Sequence, residues 1–411
     1  MTAIKISLKI IISLIGSITL LMTALLSEFY MPHAFGVSGI WLPFVYGFTV
    51  WAVLMLALWR PFKKKTRLIT ALSFFAAAAL LTAVFAGPEL YRHSLPRASE
   101  DEIDLIAYMP FGYNAENRET KAASLNGVSS LRLYDNLPRL DGATALYPLY
   151  AAFVRAVYPE DDYFPYEKFL TEGDPGYGVT VICTRTDGAF QNLISGKADL
   201  VFLMGISDAQ QTEAEQQGLT LTLTPVGREA FVFFVNSRNR VEGLTSEDIR
   251  NIYTGAVTNW REVGGGSHKI RAYQRPANSG SQTMLMQIMD GRPVMEAPRE
   301  DVYGSMMGLY RRVADYRNYQ NSLGYSFLFY INGMINENKV KFLAVDGVAP
   351  TPEHIADGTY PFADHFYAVT AKRGGAYLNP ERAENTDAFI AWILSPQGQY
   401  LVEATGYTAN R

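Results

Sequence analysis

The chain has 411 residues, of which 48% are hydrophobic and 18% are charged, so it is long enough for more than one domain and is more apolar than an ordinary globular protein. The formal net charge of -4 is too small to indicate nucleic acid or another strongly charged partner. Because Cys183 is the single cysteine, an intramolecular disulfide and a cysteine-rich metal site are both excluded.

The apolar excess is concentrated near the N-terminus. Residues 10–28, 37–59 and 68–86 form three apolar runs, each near the length of about 20 residues that a transmembrane helix needs. Lys and Arg occur before the first run and in the loop after the second, but not in the loop between these two runs. The positive-inside rule therefore places the N-terminus in the cytoplasm and the chain after about residue 87 outside it.

We therefore predict a multi-pass protein of the cell membrane, with an uncleaved three-helix transmembrane anchor over residues 1–86 and an extracytoplasmic (periplasmic or extracellular) C-terminal domain. The alternative for the first run is a cleaved signal peptide. That alternative is disfavoured, because no A-x-A-like cleavage site follows the run and two further apolar runs do.

Residues 87–136 have a mixed composition and are predicted to be a stalk or linker. From about residue 137 short apolar strands alternate with amphipathic helices, which indicates an α/β domain. The predicted strands cover residues 138–143, 177–184, 198–205, 221–227, 229–236, 268–274, 323–331, 340–347 and 365–371. The predicted helices cover residues 145–158, 188–197, 245–255, 281–291, 306–316 and 385–406.

Three junctions share one pattern, in which a strand ends in a small, hydroxyl-bearing loop and a helix begins at once. They are LDGATALYPLY, ICTRTDGAFQNL and YQRPANSGSQTML. Each junction leaves the first backbone N–H groups of a helix unpaired beside the positive end of the helix dipole. Such a helix start is suited to binding an anion.

The side chains in these loops suit the same use. The hydroxyl groups that can donate to an oxyanion belong to Thr144, Thr186, Ser279 and Ser281, and Gly280 lets a ligand approach the backbone. Arg275 could form a charge-assisted pair with a tetrahedral anion, and Arg185 is a weaker second candidate. Ser and Thr before a helix are also ordinary N-caps that contribute about 1 kcal/mol without any ligand, so the prediction rests on the three loops together.

The segments GLTSEDIRNIYTGAVTNWREVGG and IRAYQRPANSGSQT, with LDGATALYPLYAAF upstream and FIAWILSPQGQYLVEATGY downstream, resemble the phosphate-binding-protein family of periplasmic solute receptors. The resemblance covers about residues 137–411. It implies a type II periplasmic-binding-protein fold, in which two lobes close on an anion like a Venus flytrap. Lobe 1 would be residues 137–228 plus 350–411, and lobe 2 would be residues 229–349.

The resemblance also implies a set of ligand-binding residues. The first loop would contribute Thr144 and Ala145, the second Thr186, and the third Arg275, Ser279, Gly280 and Ser281. An aspartate of lobe 1 accepts the phosphate proton in this family, and the corresponding strand end here reads FLMGISDAQQ, which makes Ser207 or Asp208 a candidate. Asp187 replaces a usual glycine of the second loop, and Asp208 has an alternative role as a helix cap.

These residues predict a membrane-anchored solute-binding protein that captures a small oxyanion, most simply inorganic phosphate, for ABC-type uptake with a transporter permease as possible partner. The alternative is a membrane-fixed sensor or accessory protein whose receptor-like domain binds another anion or none. No histidine lies in a recognisable catalytic motif and no metal-binding spacing occurs. We therefore predict no enzyme activity, catalytic residue, metal or cofactor.

Overall fold

The structure is a computed structural model that describes residues 103–111, 119–160, 180–315, 318 and 320–410. These residues belong to one compact unit, Ala98–Arg411. The three predicted membrane spans lie outside the described residues. Among the helices that are described, none combines the length and the apolar character needed to cross a bilayer.

The described part of the chain is a mixed α/β structure, which confirms the α/β class predicted for the residues after about 137. Its α-helices are α1 (Tyr147–Val157), α2 (Arg185–Ile194), α3 (Asp208–Gln216), α4 (Ser246–Thr254), α5 (Gly280–Ile288), α6 (Met306–Ala314), α7 (Pro352–Ala356), α8 (Ala383–Ile393) and α9 (Pro396–Thr405). Short 3₁₀ segments cover Ile106–Tyr108, Thr144–Leu146, Trp260–Val263, Arg299–Asp301 and Pro380–Arg382, and a π-helix covers Tyr330–Ile335.

The strands form one large sheet and a separate pair. They are β1 (Leu140–Gly142), β2 (Leu200–Leu203), β3 (Leu219–Asn236), β4 (Gly243–Leu244), β5 (Arg271–Ala272), β6 (Ser322–Phe327), β7 (Val340–Phe342), β8 (Ala344–Val345), β9 (Ala363–Arg373), β10 (Ala376–Tyr377) and β11 (Thr408–Ala409). The large sheet has the order β1-β2-β9-β3-β6-β5, with β10 beside β9 and with β7 and β11 beside β3. The parallel pair β4-β8 stands apart.

Strand β3 joins two halves of the large sheet. Its N-terminal part pairs with β9, from Leu219 opposite Arg373 to Ala230 opposite Ala363. Its C-terminal part pairs with β6 and β7, beginning with Phe231 opposite Phe327. The strands β1, β2 and β9 therefore belong to a first half-sheet, and β5, β6 and β7 belong to a second.

The sequence predicts two strands where the structure has the single strand β3. The predicted strands 221–227 and 229–236 are separated at Arg228. In the structure the register shifts between Pro225 and Gly227, and pairing with β9 continues beyond the shift. A β-bulge thus accommodates the proline without ending the strand.

Aromatic side chains fill the core beside the second half-sheet. The ring of Phe231 lies 5.3 Å from that of Tyr325 and 5.6 Å from that of Phe233. In the first half-sheet the ring of Tyr150 on α1 stacks on Phe202 of β2 at 5.1 Å. Such pairs contribute about 0.5–1.5 kcal/mol beyond the burial of their area, so both halves have rigid interiors under the loops.

The predicted stalk differs from the structure where its residues are described. Met109 is 1% exposed, and Ala122 and Leu133 are also buried, all in the same hydrophobic cluster as α1. Residues 103–111 and 119–136 therefore pack against the α/β body. The mixed composition of this stretch does not indicate such packing.

Candidate anion-binding site

One cavity of about 250 Å³ lies where loops from both half-sheets meet. Nine of the residues predicted from the sequence line it: Thr144, Ala145, Arg185, Thr186, Asp187, Arg275, Ser279, Gly280 and Ser281. The three loops with the shared sequence pattern therefore come together at one place. Each loop is held there by a different set of contacts.

The first loop follows β1 and leads through a 3₁₀ turn at Thr144–Leu146 into α1. Its preceding residue must be small, because a Cβ on Gly142 would lie 2.8 Å from the carbonyl oxygen of Phe202. The Tyr407 hydroxyl donates to the carbonyl oxygen of Ala145. The C-terminal end of the chain thus fixes the first helix start.

The second loop depends on the buried carboxylate of Asp141. It accepts hydrogen bonds from the backbone N–H of Thr184 at 2.7 Å and from the Thr184 hydroxyl at 2.6 Å. It also accepts from the side chain of Asn192 at 2.8 Å and from the N–H of Gly142 at 2.7 Å. Burial raises the pKa of Asp141, while these hydrogen bonds act to lower it.

Asp141 was not predicted as a site residue, although it lies in the quoted LDGATALY segment. Its four hydrogen bonds join the first loop to the second. Arg185, which directly follows Thr184, adopts a left-handed backbone with φ 71°. A non-glycine residue in this conformation is uncommon and needs support from its surroundings. The hydrogen bonds to Asp141 supply that support.

The third loop leads into α5. Ser279 is the N-cap of this helix, and its hydroxyl oxygen accepts from the N–H of Gln282 at 3.3 Å. Ser281 is 2% exposed, and its hydroxyl has no hydrogen-bond partner among the described residues. A buried hydroxyl without a partner is costly unless a ligand or water satisfies it. This hydroxyl is therefore a ready donor for an anion in the cavity.

Arg275 is 8% exposed and donates to the carbonyl oxygen of Gly304 at 3.1 Å. Its backbone N–H donates to the side-chain oxygen of Gln282 at 3.0 Å, and the Tyr325 hydroxyl donates to the same oxygen. These contacts fix the guanidinium beside the start of α5. A buried, oriented cation is well suited to pairing with an oxyanion.

The second and third loops touch each other across the two half-sheets. A Cβ on Gly280 would lie 2.9 Å from the Thr186 hydroxyl oxygen, so the backbone at position 280 approaches Thr186 closely. The Ser207 hydroxyl and the Asn278 side chain form a second link of 3.1 Å. The helix starts of α2 and α5 therefore lie side by side.

The structure places Ser207 and Asp208 away from the cavity lining. Ser207 is the N-cap of α3 and shares a capping box with Gln210. Asp208 is the first residue of that helix, so the cap is the serine and not the aspartate. Asp187 does line the cavity, where its carboxylate accepts from the Gln210 side chain at 3.5 Å.

A fourth helix start also lines the cavity; the helix was predicted over residues 306–316, but its start was not predicted as part of the site. Gly304, Ser305 and Met306 belong to it, and Ser305 is the N-cap of α6, accepting from the N–H of Gly308 at 2.9 Å. The signal was present as a serine directly before an apolar helix, although no strand was predicted just before it. Apolar residues complete the lining: Ile103, Leu105, Phe327 and Tyr330.

Comparison with known proteins gives a family match. The model of the family described as "PBP superfamily domain" matches residues 140–397, which is more than half of the chain. Curated relatives include the phosphate-binding protein PstS of Bacillus subtilis, 29% identical over 137 residues, which are 33% of this chain and 42% of that protein. The chain thus spans less than half the length of this relative.

Two further relatives are aligned over more of their length. PstS of Borreliella burgdorferi is 25% identical over 219 residues, covering 52% of this chain and 75% of that protein. Protein SphX of Synechococcus elongatus is 23% identical over 286 residues, covering 64% and 81%.

Two solved structures are also similar to this chain. A putative phosphate ABC transporter substrate-binding protein from Clostridium perfringens, solved with bound phosphate, has a TM-score of 0.49 and 23% identity, covering 67% of this chain and 99% of that chain. A phosphate transport receptor from Vibrio cholerae has a TM-score of 0.47 and 22% identity, covering 66% and 100%.

Proposed function

The chain belongs to the PBP superfamily, and from that premise we propose that it is a solute-binding protein that captures inorganic phosphate in the cavity between the two half-sheets. The observation that carries the proposal is the meeting of helix starts from both half-sheets at Thr186 and Gly280, beside the buried Arg275. Curated relatives that carry the name phosphate-binding protein support the choice of ligand.

The arrangement can bind a tetrahedral oxyanion by three kinds of donor. Backbone N–H groups at the helix starts are oriented toward the cavity by the helices themselves. The hydroxyls of Thr186 and Ser281 add neutral donors, and the guanidinium of Arg275 adds charge. Cationic side chains also outnumber acidic ones in the lining, which contains Arg185, Arg275 and one acidic residue, Asp187.

The lobes of this receptor would correspond to the two half-sheets, with β3 as one crossing between them and the segment before β9 as the other. The proposed boundaries remain residues 137–228 plus 350–411 and residues 229–349. The proposal also retains the membrane anchor over residues 1–86, the extracytoplasmic position of the receptor and delivery of phosphate to an ABC-type permease.

Isothermal titration calorimetry and thermal unfolding of the full chain in detergent test the proposal, with phosphate, sulfate and glycerol phosphate as ligands. Phosphate at a hundredfold excess over its Kd should raise the free energy of unfolding by about 2.7 kcal/mol. The absence of both heat and stabilisation with phosphate would show that the ligand assignment is wrong. A response to sulfate alone would move the assignment to another oxyanion.

A further inference from the structure

Two of the residues that line the cavity come from a part of the chain that precedes the family pattern. Ile103 and Leu105 belong to the lining, whereas the family model begins at residue 140. We call residues 103–109 the wall segment. The site of this protein thus contains an element in addition to the helix starts that the sequence pattern predicts.

The wall segment has a defined conformation. The Asp104 carboxylate accepts from the N–H of Ile106 at 3.0 Å and starts a 3₁₀ turn. Within the turn the N–H of Tyr108 donates to the carbonyl oxygen of Leu105 at 3.0 Å. The carbonyl oxygen of Ala107 accepts from the N–H of Lys121 at 2.7 Å, which ties the segment to the chain that follows.

Two side chains hold the wall segment against the body of the protein. Met109 is buried in the main hydrophobic cluster. The Tyr108 hydroxyl donates at 3.4 Å to the carbonyl oxygen of Gly333, inside the π-helix that starts with the lining residue Tyr330. These contacts hold the wall segment in place, and its residues Ile103 and Leu105 line the cavity.

The apolar part of the lining belongs to the hydrophobic core of the protein. Leu105, Phe327 and Tyr330 belong to one hydrophobic cluster, and Ile103 packs against it. The side chains of Ile103, Leu105 and Phe327 offer no hydrogen bond to an anion, so their contribution to binding is to exclude water. A lower local dielectric strengthens the hydrogen bonds and the ion pair that the polar part of the lining can make.

We propose that the wall segment is a functional part of the anion site, in which Ile103 and Leu105 keep water away from the bound ligand and slow its release. The inference deepens the proposed function and rests on it. It assigns a ligand-binding role to residues before the family-matched region.

The test compares Leu105→Ser with Leu133→Ala in the full chain. Both residues are buried and lie before the family-matched region, but only Leu105 lines the cavity. Leu105→Ser should raise the phosphate dissociation rate about tenfold with little change in the association rate. Leu105→Met should restore the slow rate, because it returns an apolar side chain of similar volume.

Leu133→Ala should lower the Tm but leave the dissociation rate of phosphate unchanged. As a measurement on the unaltered protein, phosphate should slow hydrogen exchange at the amides of Tyr108 and Met109. Equal dissociation rates in the wild type and Leu105→Ser, or exchange at these amides that phosphate does not change, would overturn the wall-segment proposal alone. If the wild-type chain binds no phosphate, this proposal falls together with the proposed function.

Discussion

The hydroxyl of Thr184 donates a hydrogen bond of 2.6 Å to the buried carboxylate of Asp141. The contact joins the end of β1 to the residue before α2, and both elements lead into loops that line the cavity. Asp141 does not line the cavity itself. Its role is to position the loops that do.

Asp141→Asn should therefore lower both stability and phosphate affinity. The amide keeps the shape of the side chain but replaces one accepting oxygen by an NH2 donor. In one orientation this donor meets the N–H groups of Thr184 and Gly142, and in the other it meets the side-chain NH2 of Asn192. We expect a loss of about 1–3 kcal/mol in the free energy of unfolding, measured by urea titration. The matched control is Asp357→Asn.

Asp357 accepts from the N–H of Thr359 at 2.9 Å and from the Thr359 hydroxyl at 2.6 Å, but at an exposed position. Water can replace both hydrogen bonds there, so the control should stay within about 0.5 kcal/mol of the wild type. Similar losses in both variants would contradict the role of burial at Asp141.

Arg275→Ala should weaken phosphate binding about ten- to a hundredfold, because a hydrogen bond to a charged group contributes about 1.5–3 kcal/mol. Calorimetry with phosphate measures the change. Arg250→Ala is the control, since its guanidinium also donates to a backbone carbonyl oxygen, that of Ile288, at 2.8 Å and lies outside the cavity lining. Unchanged affinity in Arg275→Ala would mean that the anion binds elsewhere.

Asp187→Asn should reduce the preference for phosphate over sulfate about tenfold. At neutral pH phosphate carries a proton that a carboxylate can accept, whereas sulfate carries none and is repelled by the negative charge. Competition between the two anions in calorimetry measures the preference. Asp208→Asn should leave the preference for phosphate unchanged. If Asp208→Asn lowers this preference and Asp187→Asn does not, the proton acceptor is Asp208 at the start of α3.

Glu229→Gln should remove a pH dependence of stability. Burial raises the pKa of Glu229 to about 8, although hydrogen bonds from the N–H groups of Phe329 and Ala230 act to lower it. Between about pH 4.5 and pH 8 the folded protein holds this proton and the unfolded chain has released it. The folded state binds more protons in this range, so its stability decreases as the pH rises.

The decrease due to Glu229 should be up to about 1.4 kcal/mol per pH unit across that range, and Glu229→Gln should lack it. Urea titrations of both proteins from pH 5 to pH 8 measure the difference in their free energies of unfolding. As the pH rises, the free energy of unfolding of Glu229→Gln should increase relative to that of the wild type. Parallel curves would show that Glu229 is ionised in the folded protein throughout.

Part of the fold could be predicted because the local signals agree with the packing. The predicted helix over residues 245–255 corresponds to α4, which has a capping box between Thr245 and Asp248 and ends at the left-handed Gly255. The helix predicted over residues 385–406 is two helices, α8 and α9. Ser395 caps α9 and Pro396 occupies the first position of that helix, so the apolar pattern continues across the boundary between the two helices.

Helix α3 was missed because its sequence DAQQTEAEQ has no apolar stripe, and only Gln210 and Ala214 are buried. In the site, the three loops could be found because each contains its own signal of hydroxyl residues before a helix. Leu105 could not be found in this way. Its place in the lining depends on packing of its segment against residues more than two hundred positions away, such as Gly333, which accepts from the Tyr108 hydroxyl, and no local pattern encodes this packing.

The helix starts around the cavity have a consequence for how such a site changes over time. Backbone amides are present whatever the side chain is, so much of the attraction for an anion survives when individual residues are replaced. The second loop, TRTDGAF, has Asp187 in place of a usual glycine, and the start of α2 nevertheless lines the cavity. In the proposed site, substitutions should therefore alter which oxyanion is preferred more readily than they abolish binding of oxyanions as a class.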